Sequence, residues 1–184
     1  MTMVRAMTQD NLRSAFGGES QAHMRYRIWA TTAKKEGFEN VARLFNATSD
    51  AEQVHATLHF KVLKDCAGDF AVTSGAGFGL SSTSDNLQGA INGELHEAEE
   101  MYPAFIAVAE LQEEKEAIKA FRFAIEAEKV HAERFQTAKD AVDAGKDLDV
   151  EKIYLCPVCG YIGFDPAEET CPICGAKKAV FIEY

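Results

Sequence analysis

Glu52-Gln53-Val54-His55 and Glu128-Lys129-Val130-His131 write one four-residue device twice, and that repeat limits what the chain can fold into more than any other feature. On an α-helix, residues three apart share a face, so each copy aims a carboxylate and an imidazole at the same point. One Glu-x-x-His in a chain with five histidines carries little weight. The surroundings repeat as well. Each copy has an acid two residues ahead (Asp50, Glu126), Ala before the Glu (Ala51, Ala127), Val before the His and Ala after it (Ala56, Ala132). Phe45 and Phe121 each precede the Glu by seven, and each copy follows a lone helical Glu: Glu19 lies 33 residues before Glu52, and Glu94 lies 34 before Glu128. The chain contains one helical hairpin, written twice.

A Glu from each of two helices and a Glu-x-x-His from each of the other two, all facing inward, form the ligand set of a carboxylate-bridged dinuclear metal site in a four-helix bundle. Oxygen and imidazole donors suit iron or manganese, and ligand type leaves zinc open. The spacing assigns Glu52 and Glu128 as bridges, with Glu19 and His55 completing one ion and Glu94 and His131 the other. Glu97 has no partner in the first hairpin, where Ala22 stands in its place, yet it follows Glu94 by three and faces the same point. It reads either as a movable ligand and proton carrier or as a solvated member of the acidic run with Glu99 and Glu100. Tyr26 and Tyr102 read either as hydrogen-bond partners of the carboxylates or as core tyrosines. His59, matched by Phe135 in the repeat, reads as core or as a neighbour of the ligands. His23 and His96 lack the repeat's support and read as ordinary, and Cys66 reads as a small buried hydrophobe.

Helix one is expected from a cap at Thr8 to Gly37, with Leu12, Ala15, Glu19, Ala22, Tyr26, Trp29 and Ala33 on one stripe. A solvated Glu belongs opposite such a stripe, so Glu19 is misplaced unless something pairs with it. Helix two is expected over about residues 39–66. Residues 67–84, rich in Gly and Ser, form a crossover of the kind a ferritin-like bundle has. Helix three is expected from Ser84 or Asp85 to about Glu110, burying Leu87, Ile91, Glu94, Ala98, Met101 and Phe105. Pro103 removes a hydrogen bond to the Glu99 carbonyl and predicts a kink just past the ligands. Helix four is expected over about 113–144.

Beyond a short polar linker the pattern changes to small β units around Cys156-Pro-Val-Cys-Gly and Cys171-Pro-Ile-Cys-Gly. A segment this small does not fold on apolar burial alone, so a metal must supply the missing stability. Cys156, Cys159, Cys171 and Cys174 form a tetrathiolate set that zinc or a single iron would fill, as a structural ribbon or a one-electron carrier respectively. The expected architecture is an all-α four-helix bundle over residues 1–146, a linker over 147–152, and a small β-rich metal unit over 153–184.

The net charge of −10 argues against nucleic acid or an anionic membrane surface as partner. No apolar run approaches the ~20 residues that span a bilayer. The opening residues lack an apolar signal core, and cysteines paired for metal fit the cytoplasm.

Together these residues resemble the rubrerythrin family over nearly the whole chain. Glu19, Glu52, His55, Glu94, Glu97, Glu128 and His131 match that family's di-iron ligands without a departure, and the four cysteines are similar to its rubredoxin-like domain, which holds one iron. The resemblance implies two Fe ions in the carboxylate site and one in the four-cysteine site, with Zn as a possible substitute. It implies a non-haem peroxidase reducing hydrogen peroxide to water, fed by an electron donor such as a rubredoxin or an NAD(P)H-dependent reductase. It further implies that Glu97 and His55 exchange as ligands when the oxidation state changes. A head-to-tail homodimer is expected on two grounds, the resemblance and distance: Glu128 lies 17 residues before Gly145, on the order of 25 Å along a helix. The competing readings are a ferritin-like iron-oxidising, iron-handling protein with a structural zinc ribbon, and a di-metal oxygenase or catalase.

Overall fold

The first helix, α1, runs Ala6–Glu36 in the computed structural model, which describes residues 4–184; the first three residues of the expected bundle unit lie outside the described residues. Its start precedes the expected cap. Thr8 is instead buried in the first turn, where its N–H and hydroxyl both donate to the Gln112 side chain, at 3.1 and 2.7 Å. The helix ends as the sequence indicates, at Gly37 with φ +91°. Helix α2 spans Glu39–Val62. It stops short of 66 because residues 63–65 form a turn, and this leaves Cys66 half-buried rather than in the core.

The third helix is capped by Ser82, two or three residues ahead of the expected position. The Ser82 hydroxyl oxygen accepts from the Asp85 N–H at 3.2 Å, and the Asp85 carboxylate accepts from the hydroxyls of Ser81 and Ser82. Three segments make up this helix: α3 (Thr83–His96), a π-helical turn (Glu97–Met101) and α4 (Tyr102–Leu111). The π turn inserts one extra residue and advances the buried face by one position. Tyr102 and Ala109 are therefore fully buried, while Met101 and Phe105, expected on that face, are only partly so. Pro103 falls in the first turn of α4, where a missing N–H costs least, so the predicted kink takes the form of a π turn ahead of the proline. Helix α5 spans Lys115–Asp143 and is followed by Gly145 with φ +71°.

Two aromatic clusters close the ends of the bundle interior. Tyr26, Trp29, Phe45 and Phe135 pack with ring centroids 5.2–5.9 Å apart. Tyr102, Phe105, Phe121 and His59 form the second cluster. The crossover has no regular structure but is tied along α1: Ser74 donates to the Ser14 carbonyl, Gln21 to the Gly77 carbonyl and the Trp29 indole to the Gly79 carbonyl.

After α5 the chain turns back along the bundle. The Asp147 carboxylate accepts from the N–H groups of Asn40 and Val41, at 2.8 and 3.2 Å, at the start of α2. Strands β1 (Ile153–Leu155), β2 (Ile162–Phe164) and β3 (Ile182–Glu183) form an antiparallel sheet in the order β2-β1-β3. Ile153, Leu155 and Ile162 are buried in the same core as Tyr26 and Phe45. Arg43 of α2 donates to the carbonyls of Glu151 and Tyr184, and the Tyr184 hydroxyl donates to Asp50 at 2.5 Å. The small unit thus rests on α2 and α5. The length of α5 beyond Glu128 does not separate the two candidate metal positions, which removes the distance argument for a head-to-tail dimer.

Candidate metal centre

Each of the four long helical rods of the bundle contributes acid to one point at mid-height. Glu19 comes from α1, Glu52 and His55 from α2, Glu94 from α3, and Glu128 and His131 from α5; all six are fully buried. They form two overlapping sets of donors, Glu19–Glu52–His55–Glu128 and Glu52–Glu94–Glu128–His131, with the donor atoms of each set within 4.8 Å of one another. Glu52 and Glu128, the two residues assigned as bridges from spacing, belong to both sets. The imidazoles lie nearly parallel, centroids 5.8 Å apart.

The protein's own groups leave much of this cluster unsatisfied. Glu19 Oε2, Glu52 Oε1, Glu94 Oε2, both oxygens of Glu128 and His131 Nδ1 are buried with no hydrogen-bond partner among the described residues. The histidine tautomers sharpen the point. His55 Nε2 lies 3.0 Å from the Cys159 carbonyl and His131 Nε2 lies 2.8 Å from the Gly160 carbonyl. A carbonyl only accepts, so each Nε2 carries the hydrogen and each Nδ1 turns a lone pair inward. His55 Nδ1 is 2.7 Å from Glu128 Oε1, and His131 Nδ1 is 2.8 Å from Glu128 Oε2. Lone pairs facing carboxylates in a dry interior require cations or extra protons. The donor set therefore fits two divalent ions, with each imidazole ligating through Nδ1 and held by its carbonyl.

The protonation pattern agrees. Burial and the neighbouring carboxylates push Glu52, Glu97 and Glu128 well above the usual carboxylate range. Burial also acts to raise Glu19 and Glu94, but is outweighed by His59 and His55 at Glu19, set at about 2, and by His131 at Glu94. Burial would lower His55, yet the adjoining Glu128 holds it above its ordinary value.

Both tyrosines prove to be partners of the carboxylates, each crossing to the other hairpin: Tyr26 donates to Glu94 and Tyr102 to Glu19. Burial and those carboxylates raise both phenols, keeping them donors. His59 is buried with Nε2 2.9 Å from the Tyr102 hydroxyl, beside the ligands. Glu97, at the start of the π turn, lies outside both donor sets and is partly exposed. His23 clasps Ser49 and His96 is exposed, as ordinary residues.

Cys156, Cys159, Cys171 and Cys174 converge in the small unit. The Cys156–Cys174 and Cys159–Cys171 sulfurs are 3.6 and 3.5 Å apart, far from a disulfide's ~2.05 Å. They are close to the ~3.8 Å edge of a tetrahedron built on bonds of ~2.3 Å. The hydrogen bond from Cys159, with backbone amides of Val158 and Cys159, holds Cys156 down at about 5, while the shared proton and burial push Cys159 up. Such a set sheds its remaining protons readily only to a cation.

Sequence reasoning did not reveal the joint between the two centres, which is made by main-chain carbonyls. A thiol ligand, Cys159, and the residue after it reach both site histidines. The available signal was Gly160: its φ is +82°, and a Cβ there would collide with His55 Nε2.

Among the described residues no helix is long and apolar enough to cross a membrane. A family model described as "Rubrerythrin" matches residues 10–139, and one described as "Rubrerythrin, rubredoxin-like domain" matches 154–182. Rubrerythrin-2 of Clostridium acetobutylicum is 52% identical over 181 residues, 98% of each chain. Nigerythrin of Nitratidesulfovibrio vulgaris is 38% identical over 96% of this chain and 86% of its own. The solved structure of fully reduced, all-ferrous nigerythrin superposes with a TM-score of 0.87 at 38% identity, covering 100% of this chain and 89% of that one.

Proposed function

The chain belongs to the rubrerythrin family, and from that premise we propose that it is a cytoplasmic non-haem peroxidase converting hydrogen peroxide, two protons and two electrons into two waters. The observation that carries this reading is the pair of hydrogen bonds joining the cysteine knuckle to His55 and His131. A zinc ribbon attached to an iron store has no use for such a joint; an electron relay does. We take iron as the metal at both centres. Glu19, Glu52, His55, Glu94, Glu128 and His131 would hold a pair, and Cys156, Cys159, Cys171 and Cys174 a single ion. Two ferrous ions in the carboxylate site would supply the two electrons that cleave the O–O bond together, and the cysteine-bound iron would return electrons singly.

The protein's own groups do the rest. Glu97 stands beside the donor cluster with its carboxyl pushed up by burial and by Glu19 and Glu94, which favours its protonated form and suits it to supply a proton to the departing oxygen. Tyr26 and Tyr102 fix the orientation of Glu94 and Glu19. His55 is positioned by the Cys159 carbonyl, and a Glu97–His55 exchange would start from His55 turned inward and Glu97 outside the donor sets.

The test is an anaerobic single turnover of the iron-loaded, fully reduced protein. One equivalent of hydrogen peroxide should oxidise the iron pair, and the cysteine iron should then redden as it donates. Glu97→Ala should slow the peroxide step by about 10²-fold or more. Oxidation by dioxygen but not by peroxide, or a cysteine site that holds only zinc, would overturn the proposal.

A further inference from the structure

The donor cluster is closed off on most sides. Glu19, Glu52, His55, Glu94, Glu128 and His131 are each 0% exposed. The buried Tyr26 and Tyr102 rings close the two ends, and Cys159 and Gly160 close the histidine side. Glu97, beside the donors, is partly exposed and faces a cavity of ≈ 500 Å³ between α1 and α3, roofed by residues 75–77 of the crossover.

Two residues shape that cavity. Gly18 lies one residue before a metal donor, inside α1, where glycine is destabilising relative to alanine. Packing explains the glycines near it: a Cβ on Gly17 would collide with Ser74, and one on Gly89 would press on Trp29. Packing does not explain Gly18. A Cβ there would meet Glu97 Oε1 at 3.7 Å and the Gly75 carbonyl at 3.9 Å, both ordinary contacts. What a larger side chain would lose is the open space in front of Glu97. Opposite, Arg25 crosses the cavity. Its guanidinium lies against Gly77 and near Gly93, 5.3 and 5.0 Å from the Tyr26 and Trp29 rings, and its buried Nε has no partner among the described residues.

We propose that this cavity is the entry path to the metal pair and that Gly18 and Arg25 set the size of hydroperoxide admitted, passing hydrogen peroxide and excluding hydroperoxides with bulky aryl groups. The size rule rests on the peroxidase reading; the path itself does not. The test uses the full-length, iron-loaded chain with Gly18→Ala, Gly18→Val, Gly18→Leu and Arg25→Ala, each checked for iron content and helicity. Azide association with the oxidised iron pair, read from its absorption band, should fall along the Gly18 series, by roughly tenfold or more at Leu. The rates at which hydrogen peroxide and cumene hydroperoxide oxidise the reduced protein should diverge further along that series, and Arg25→Ala should bring them closer. Wild-type azide binding in a fully loaded Gly18→Leu protein would overturn the path. Equal loss of both oxidation rates would also overturn it, since that is the signature of a displaced Glu97. If Gly18→Leu does not hold iron, Gly18→Val and Arg25→Ala decide by the same criteria. A graded azide series in a protein that peroxide does not oxidise would sink the peroxidase reading and leave the path standing.

Discussion

Gly160 and Gly175 hold equivalent places in the two cysteine knuckles, with φ of +82° and +75°, yet they face different surroundings. A Cβ on Gly175 would meet nothing within 4 Å, whereas one on Gly160 would strike His55. Alanine at either position carries the left-handed penalty of about 1–2 kcal/mol. Only Gly160→Ala should also push the knuckle off both histidines. We therefore expect a larger loss in melting temperature for Gly160→Ala than for Gly175→Ala, with electron return from the cysteine iron slowed severely in Gly160→Ala alone, as measured by stopped-flow reddening of that iron. At this scale the ligands were legible, because a carboxylate on an apolar stripe has few explanations. The main-chain joint was not, since a carbonyl acceptor leaves no trace in residue type.

Among the elements, the third helix departs most from its sequence pattern. Tyr26 follows Glu19 by seven residues, while Tyr102 follows Glu94 by eight; from each tyrosine to the next bridging Glu the interval is 26 in both hairpins. The extra residue is therefore confined to the stretch containing the π turn. Pro103 pointed there, but a fixed helical period over the whole segment placed Met101 and Phe105 where Tyr102 and Ala109 lie. At the far end of the bundle, Asp147 caps α2 through two backbone N–H groups. Asp147→Ala should cost about 1–2 kcal/mol, read by chemical denaturation. Because the same residue pins the return of the chain, the small unit should become more open to proteolysis in that variant.

Across the whole molecule, stability must depend on pH in a way that metal abolishes. In metal-free protein, Glu52, Glu97 and Glu128 sit above their ordinary 4.5 and His55 above 6.5. Groups raised on folding contribute stability that is complete below the unfolded value and lost as pH climbs through the folded one. Glu19 and Glu94, held low, are already ionised in this range, and His59, held below 6.5, opposes the trend only beneath that value. Chelated protein should thus melt at lower temperature at pH 8 than at pH 5.5. Two equivalents of metal should flatten the difference and release protons into unbuffered solution. The domain contact makes a separate prediction. A Cys156→Ser chain mixed with a Glu52→Ala chain should show no recovered turnover if the relay stays within one chain, as the Cys159–His55 contact has it. Recovery would mean that the C-terminal unit is exchanged between subunits about residues 147–152. The bundle, its crossover and the cysteine unit were readable from periodicity and composition. The way the unit folds back was hidden, because six linker residues dictate no direction until Asp147 meets the start of α2.

The two hairpins differ by one residue between the lone glutamate and the tyrosine, and the longer one also carries a fifth acid, Glu97, where the other has Ala22. Shortening that interval from eight to seven by deleting one residue of the π turn should therefore swing Glu97 and Tyr102 apart in register and make the two halves even-handed.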